Sequence, residues 1–174
     1  QHLLAWTAPL PELKGETAEA THPILRHQDR ALYFRQRGEG YAIGSYHHEP
    51  LLTEPDNILS HEAAPEMPSI MPWTPSHFER ALESAAELLP PLRGVELVHK
   101  INGMFAFTPD AMPVLGESPE VKGFWSAQAV WITHAGGVAK TVAEWMVEGS
   151  TSIDMREADI ARFHAYALSR PYVR

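Results

Sequence analysis

Leu32-Tyr33-Phe34-Arg35-Gln36-Arg37, then Gly38-Glu39-Gly40, then Tyr41-Ala42-Ile43-Gly44-Ser45-Tyr46: two short runs rich in aromatic and β-branched residues flank a glycine-bearing break. Such a pattern predicts a β-hairpin, because the flanking residues favour a pleated, half-buried surface and the glycines supply the turn. Period two along the first run places Tyr33 and Arg35 on one face, opposite Leu32 and Phe34.

Outward from the hairpin, residues 1–8 are dense enough in apolar side chains for a strand. Pro9, Pro11 and Gly15 break that strand into a polar loop reaching about Thr21. Because the chain runs from Gln1 straight into Leu3-Leu4-Ala5-Trp6, it reads as a strand cut at its start. The stretch 47–73 holds five prolines without a sustained period and predicts a long surface excursion. A helix is expected from Thr74-Pro75-Ser76, with Ser76 and Glu79 as a capping box. Phe78, Ala81, Leu82, Ala85 and Leu89 form its apolar face, and Pro90-Pro91 ends it. Asn102-Gly103 between residues 96–101 and 104–107 predicts a second hairpin turn. Residues 113–115 and 124–127 read as further short strands.

The clearest helix spans about Gly137 to Glu148, with Val138, Val142, Trp145 and Met146 on one stripe and Gly149 past its end. A weaker helical signal covers Ala158 to Tyr166. The order of strands, helix, strands, helix predicts an α+β fold with a largely antiparallel sheet and a few helices packed on it.

Composition narrows the function classes. Hydrophobic residues make up 44% and charged residues 21% of the 174, ordinary for a globular chain. Cysteine is absent, which excludes disulfides and a thiol nucleophile. A formal net charge of -8 without a Lys/Arg cluster argues against a nucleic-acid partner. No apolar run approaches the ~20 residues of a membrane span, and no signal-peptide pattern opens the chain. No membrane partner is expected, and the chain reads as cytoplasmic or as the mature part of an organellar protein. Ten histidines raise the question of a metal, yet none share the spacing of a zinc helix, and His61-Glu62 runs into Ala63-Ala64-Pro65. No metal site is expected. Neither a Gly-x-Ser-x-Gly elbow, a Gly-x-Gly-x-x-Gly loop nor a Walker loop occurs.

Two places remain for chemistry. His47-His48 follows a predicted strand at the mouth of a sheet, where a ligand-contacting histidine or a solvated loop pair are both natural readings. In Val130-Trp131-Ile132-Thr133-His134-Ala135-Gly136-Gly137, two glycines at a helix start either let an electron-rich ligand approach the free N–H groups or let the helix pack closely on a sheet.

Taken in order, these stretches resemble the dimethylglycine and sarcosine dehydrogenase family of FAD-dependent amine oxidoreductases. The resemblance rests on His22-Pro23-Ile24-Leu25-Arg26-His27-Gln28-Asp29, Leu32-Tyr33-Phe34-Arg35 and Ile43-Gly44-Ser45-Tyr46-His47-His48. It continues through Asn102-Gly103, Phe107-Thr108-Pro109-Asp110, Pro113 to Glu117, Gly123-Phe124, Ala129 to Lys140 and Asp159 to Phe163. It implies the substrate-domain part of a D-amino-acid-oxidase-like flavoprotein: a substrate-binding sheet over 1–110, a returning FAD-contacting segment and helix over 111–150, and a linker over 151–174 toward a folate-binding region. It implies Tyr33 and His48 as catalytic residues, with His47 competing for the second role, and Tyr33, Val130, Trp131, Ile132 and Thr133 as FAD contacts. The implied reaction is oxidation of an N-methyl amine, with hydride passing from the methyl carbon to flavin, and Tyr33 is expected to hold the substrate carboxylate. The implied partners are the small-molecule amine, a Rossmann portion of the same protein before Gln1 and tetrahydrofolate in a later domain. A mitochondrial matrix location is implied if the source is eukaryotic. The isolated chain is expected to bind FAD weakly or not at all and to be inactive. Two alternatives stand beside this one: a non-catalytic regulatory homologue of the pyruvate dehydrogenase phosphatase type, and a free-standing small-molecule binding domain. The enzyme reading requires the Tyr33 hairpin and the start of the 137–148 helix to meet at one cleft.

Overall fold

A computed structural model describes residues 1–169 and 171; the last residues of the expected 151–174 linker, 170 and 172–174, lie outside the described residues. The chain divides into two compact units, Gln1–Phe105 and Ala106–Arg174.

Unit 1 is a five-stranded antiparallel sheet with one helix. Its strands are β1 (His2–Thr7), β2 (Leu25–His27), β3 (Leu32–Arg37), β4 (Gly40–Ser45) and β5 (Leu97–Gly103), in the order β2-β3-β4-β1-β5. The β3–β4 hairpin forms as the sequence predicts, with Arg37 paired to Gly40 and Gly38 at φ 57° in the turn. Alternation then sorts the side chains. Leu3 and Ala5 of β1, Leu32 and Phe34 of β3 and Ile43 of β4 are all buried, and they pack with Phe78, Ala81 and Ala85 of α1 (Pro75–Leu88). Fully burying such a Leu or Phe contributes about 1.5–3 kcal/mol, so this layer holds the unit together.

Three sequence expectations fail in unit 1. Asn102-Gly103 makes no turn: both residues continue β5, paired to Leu3 and His2. The Asn102 amide, 1% exposed, donates to Gln1 Oε1 at 2.7 Å and to the Pro72 carbonyl at 2.8 Å. Burial with satisfied donors thus overrides the local turn preference of the dipeptide. Residues 104–107 accordingly form no strand. The capping box at Ser76 is also absent. Pro75 occupies the first helical turn, which makes Thr74 the N-cap and places Ser76 inside the helix, and no side chain caps that end.

Unit 2 pairs β6 (Val114–Glu117) with β7 (Trp125–Gln128) and carries α2 (Ala135–Glu148). Gly116 has φ 104°, and a Cβ there would stand 2.8 Å from the Trp145 ring, so only glycine lets this tryptophan lie on β6. Gly149 ends α2 in the left-handed conformation, its N–H bonded to the Trp145 carbonyl at 3.0 Å. The helix starts at Ala135, two residues before the expected boundary. Its inward stripe is Val138, Thr141, Val142 and Trp145, while Met146 is 55% exposed and lies off the stripe.

No helix forms over 158–166; the segment holds only 3-10 turns, Ile160–Arg162 and Ala165–Leu168. Its backbone is engaged elsewhere. Leu115 N–H donates to the Ala158 carbonyl at 2.8 Å, and Asp159 forms an isolated bridge with Leu115. Arg162 then clamps Asp110, donating from Nε to Oδ2 at 2.7 Å and from Nη2 to Oδ1 at 3.0 Å, while Nη1 bonds the Asp159 carbonyl at 3.0 Å. Two further bonds to its oxygens, from the Thr108 hydroxyl at 2.9 Å and the Met112 N–H at 3.1 Å, help the guanidinium hold the Asp110 carboxyl far below the usual carboxylate range. No helix of the described residues is long and apolar enough to cross a membrane.

Candidate active site

Tyr33 lies on the face of the unit 1 sheet turned away from α1. Register places Arg26 of β2 beside Tyr33 of β3, and Tyr33 beside Gly44 of β4. A Cβ added at position 44 would fall inside the Tyr33 ring, so the missing side chain of Gly44 is what lets that ring lie flat across the hairpin. Reaching over Gly44, the Tyr33 hydroxyl meets His2 Nε2 at 2.8 Å.

His2 is the centre of an aromatic cluster. Its ring stacks on Tyr46 at 4.3 Å and 20°, lies 5.3 Å from Phe105, and is 8% exposed. Burial, helped by the nearby His48 and the chain's amino group, pushes its pKa down to about 4, so the ring is neutral at physiological pH. Burial raises Tyr33 to about 12, with the neighbouring Tyr46 adding to the rise and Arg26 opposing it. Both partners are therefore uncharged, and two hydrogen-bond directions exist. When His2 Nε2 carries the proton it donates to Tyr33 Oη, which frees the Tyr33 O–H to donate outward; the other tautomer accepts from Tyr33 and consumes that donor.

His48 is half-buried at the end of the same sheet. Its Nδ1 lies 2.8 Å from the Glu49 carbonyl, and its ring meets that of His77 edge-on at 6.2 Å. Tyr46 joins the two predicted catalytic positions, since it packs against His2 and Tyr33 on one side and lines a depression of about 460 Å³ with His47, His48 and His77 on the other.

Val130 to Thr133 lie in unit 2, between β7 and α2. Ala129 turns the chain out of β7 with φ 54°, a left-handed conformation that a non-glycine residue adopts at a cost of roughly 1–2 kcal/mol. Val130 is half-buried, and the 3-10 turn Ile132–His134 runs directly into α2. Ile132 is 94% exposed, and the Trp131 ring meets Phe107 edge-on at 5.7 Å. A Cβ added at Gly136 or Gly137 would meet no heavy atom within 4 Å, so close packing on a sheet does not account for these glycines. The Ala135 N–H is taken by the Ile132 carbonyl, and the uncovered backbone at Gly136 and Gly137 beside an exposed apolar side chain leaves room for a flat ligand.

Sequence reasoning missed His2, Gly44, Tyr46 and Arg26 as site residues. Alternation along β1 does put His2 on one face with Leu4 and Trp6, but only strand register shows that this face meets Tyr33.

Residues 1–145 match the model of the DAO family, described as FAD dependent oxidoreductase. Mitochondrial dimethylglycine dehydrogenase of Mus musculus is 28% identical over 98% of this chain, which covers 20% of that protein. The mitochondrial pyruvate dehydrogenase phosphatase regulatory subunit of Mus musculus is 30% identical over 97% of this chain, which covers 18% of it. The chain thus spans about a fifth of the length of these curated relatives. A solved structure of L-amino acid deaminase from Proteus vulgaris aligns with TM-score 0.58 at 18% identity, over 93% of this chain and 36% of that one. It supports the expected fold, an antiparallel sheet with two helices of the D-amino-acid-oxidase-like kind.

Proposed function

Because the chain belongs to the DAO family of FAD-dependent oxidoreductases, we propose that it forms the substrate-facing part of an enzyme that oxidises an N-methyl amine such as dimethylglycine or sarcosine. The single observation that carries this reading is the His2–Tyr33 pair, a neutral hydroxyl held by a neutral imidazole on the face of the sheet opposite α1.

Tyr33 holds the substrate carboxylate by donating its O–H, with His2 Nε2–H donating to Tyr33 Oη from behind. That arrangement fixes the direction of the hydroxyl before substrate arrives, which lowers the orientational cost of bringing an N-methyl group into place. His48 borders the approach from the neighbouring depression. Val130, Trp131, Ile132 and Thr133 would hold FAD together with the first-turn amides of α2, whose dipole favours an electron-rich ring edge. When bound, FAD supplies the hydride acceptor for the N-methyl carbon. In the parent protein a nucleotide-binding portion supplies the rest of the cofactor site. The segment after residue 150 leads toward a tetrahydrofolate-binding region, and the cytoplasm or the mitochondrial matrix is the compartment.

Amine-dependent bleaching of the visible flavin band in the full-length protein tests the proposal. Loss of colour on adding dimethylglycine or sarcosine supports it. A flavin left unchanged by either amine supports the second reading, a non-catalytic regulator, which the 30% identity to a phosphatase regulatory subunit favours.

A further inference from the structure

The depression of about 460 Å³ that Tyr46 lines has walls which, His48 apart, play no part in the oxidation of an amine. The chain leaving β4 supplies His47, His48 and Glu49, and the first turns of α1 supply Ser76, His77 and Arg80. A second hollow of about 300 Å³ adjoins it along α1, and His47 and Arg80 line both.

At the second hollow Arg30 and Glu87 satisfy each other, with Nη1 2.5 Å from Oε2. Arg80 has no such partner: it is exposed, and among the described residues no carboxylate pairs with it. Three residues earlier on the same helix, the His77 ring meets His48 edge-on at 6.2 Å, and its Nδ1 has only the Ser76 hydroxyl at 3.4 Å, too long for a strong bond. His48 Nδ1 is committed to the Glu49 carbonyl at 2.8 Å, whereas at His47 the bond to Ser45 Oγ at 2.9 Å comes from the backbone N–H and leaves the ring free.

Arg80, His77, Ser76 and His47 can thus donate from two elements into one space, against the single carboxylate of Glu49 at its rim. No three of the histidines and acids among the described residues are grouped to hold a metal ion. Unpartnered donors around a guanidinium suit an anion, and because they come from two sides, a tetrahedral oxyanion engages more of them than a planar carboxylate does. No side chain caps the start of α1, so its dipole adds to the attraction.

We infer that this depression is a phosphate-binding site separate from the His2–Tyr33 pair, in which Arg80 supplies the charge and His47, His77 and Ser76 the further donors. It takes free phosphate or the phosphate group of a small ester, and it stands whether or not the protein oxidises an amine.

Broadening of the phosphorus-31 resonance of inorganic phosphate by the full-length protein measures the binding. Arg80→Gln is expected to weaken it roughly 10- to 100-fold, the range of a hydrogen bond to a charged group, and His77→Gln roughly 2- to 10-fold. Glu49→Gln, which removes the opposing carboxylate, is expected to tighten it. Lys14→Gln, an exposed cation that lines neither hollow, leaves it unchanged. Flavin content equal to that of the native protein in all four variants shows that the losses report the site and not the fold. Displacement by glycerol 3-phosphate extends the site to esters, and its failure restricts the site to free phosphate. Undiminished binding in Arg80→Gln, an equal loss in Lys14→Gln, or displacement by acetate at matched concentration overturns the assignment.

Discussion

Gly44 and Tyr33 stand directly opposite each other on the β3–β4 ladder, and the space that a side chain at 44 would fill is occupied by the Tyr33 ring. The position of the hydroxyl is therefore set by an absent methyl group on the neighbouring strand.

Gly44→Ala is expected to drive the Tyr33 ring off the hairpin, at a cost of about 1–3 kcal/mol, as for other overpacked sites. Tyr33→Phe keeps the ring and removes only the hydroxyl. Denaturant unfolding separates the two: the alanine variant loses stability clearly, while the phenylalanine variant loses about 1 kcal/mol or less. Similar losses in both would show that the ring is free to move aside.

Acidification is expected to destabilise unit 1 through His2. Its folded-state pKa of about 4 lies below the ordinary histidine value of 6.5, so the unfolded chain binds more protons between those values. The stabilisation from neutral His2 is full above 6.5 and is lost as pH falls through that window toward 4. Urea midpoints measured across the window should drop steadily for the native sequence and less steeply for His2→Phe. Parallel slopes would assign the acid sensitivity to other groups.

At the start of α2 stability and cofactor retention should move in opposite directions. Gly136→Ala and Gly137→Ala each add helix propensity in open space, worth about 0.5–1 kcal/mol. A methyl group there would also hold a ligand away from the first-turn amides. The melting temperature is expected to rise while the FAD retained by the full-length protein falls. A rise in stability with undiminished flavin would remove these glycines from the cofactor site.

Arg162→Met should loosen unit 2 by about 1–3 kcal/mol, because it breaks the paired bonds to Asp110 and leaves that carboxylate without its cation. Hydrogen exchange is the direct measurement. Amides of residues 110–112, including the Met112 N–H bonded to Asp110 Oδ1 at 3.1 Å, should lose protection first.

Much of this fold is legible from period and punctuation. The Tyr33 hairpin, the apolar face of α1 and the Gly149 stop of α2 follow from alternation, helical spacing and a residue that tolerates positive φ. Asn102-Gly103 is misread because a dipeptide preference worth little is outweighed by a buried amide with two acceptors. The 158–166 helix is misread because the segment spends its backbone on β6 and its arginine on Asp110, neither of which is near in sequence. The site divides in the same way. Tyr33 and His48 enter the candidate site through resemblance, whereas His2, Gly44 and Arg26 come beside Tyr33 only through the register of β1, β2 and β4 around β3, which no local pattern encodes.

The two outermost strands of the five-stranded sheet differ in how far they leave it open. β2 has three residues and offers little to grow on, whereas β5 has seven and is shielded only near its far end, where Met71 N–H reaches the Asn102 carbonyl at 2.8 Å and Ile70 bridges Gly103. From Leu97 to Ile101 its outer hydrogen-bonding groups face no further strand among the described residues, and Val98 is 58% exposed. Lys100 is the one formal charge along that rim. A lysine on an exposed rim opposes pairing with another strand, so whatever resistance this edge has to growth rests on a single ammonium group.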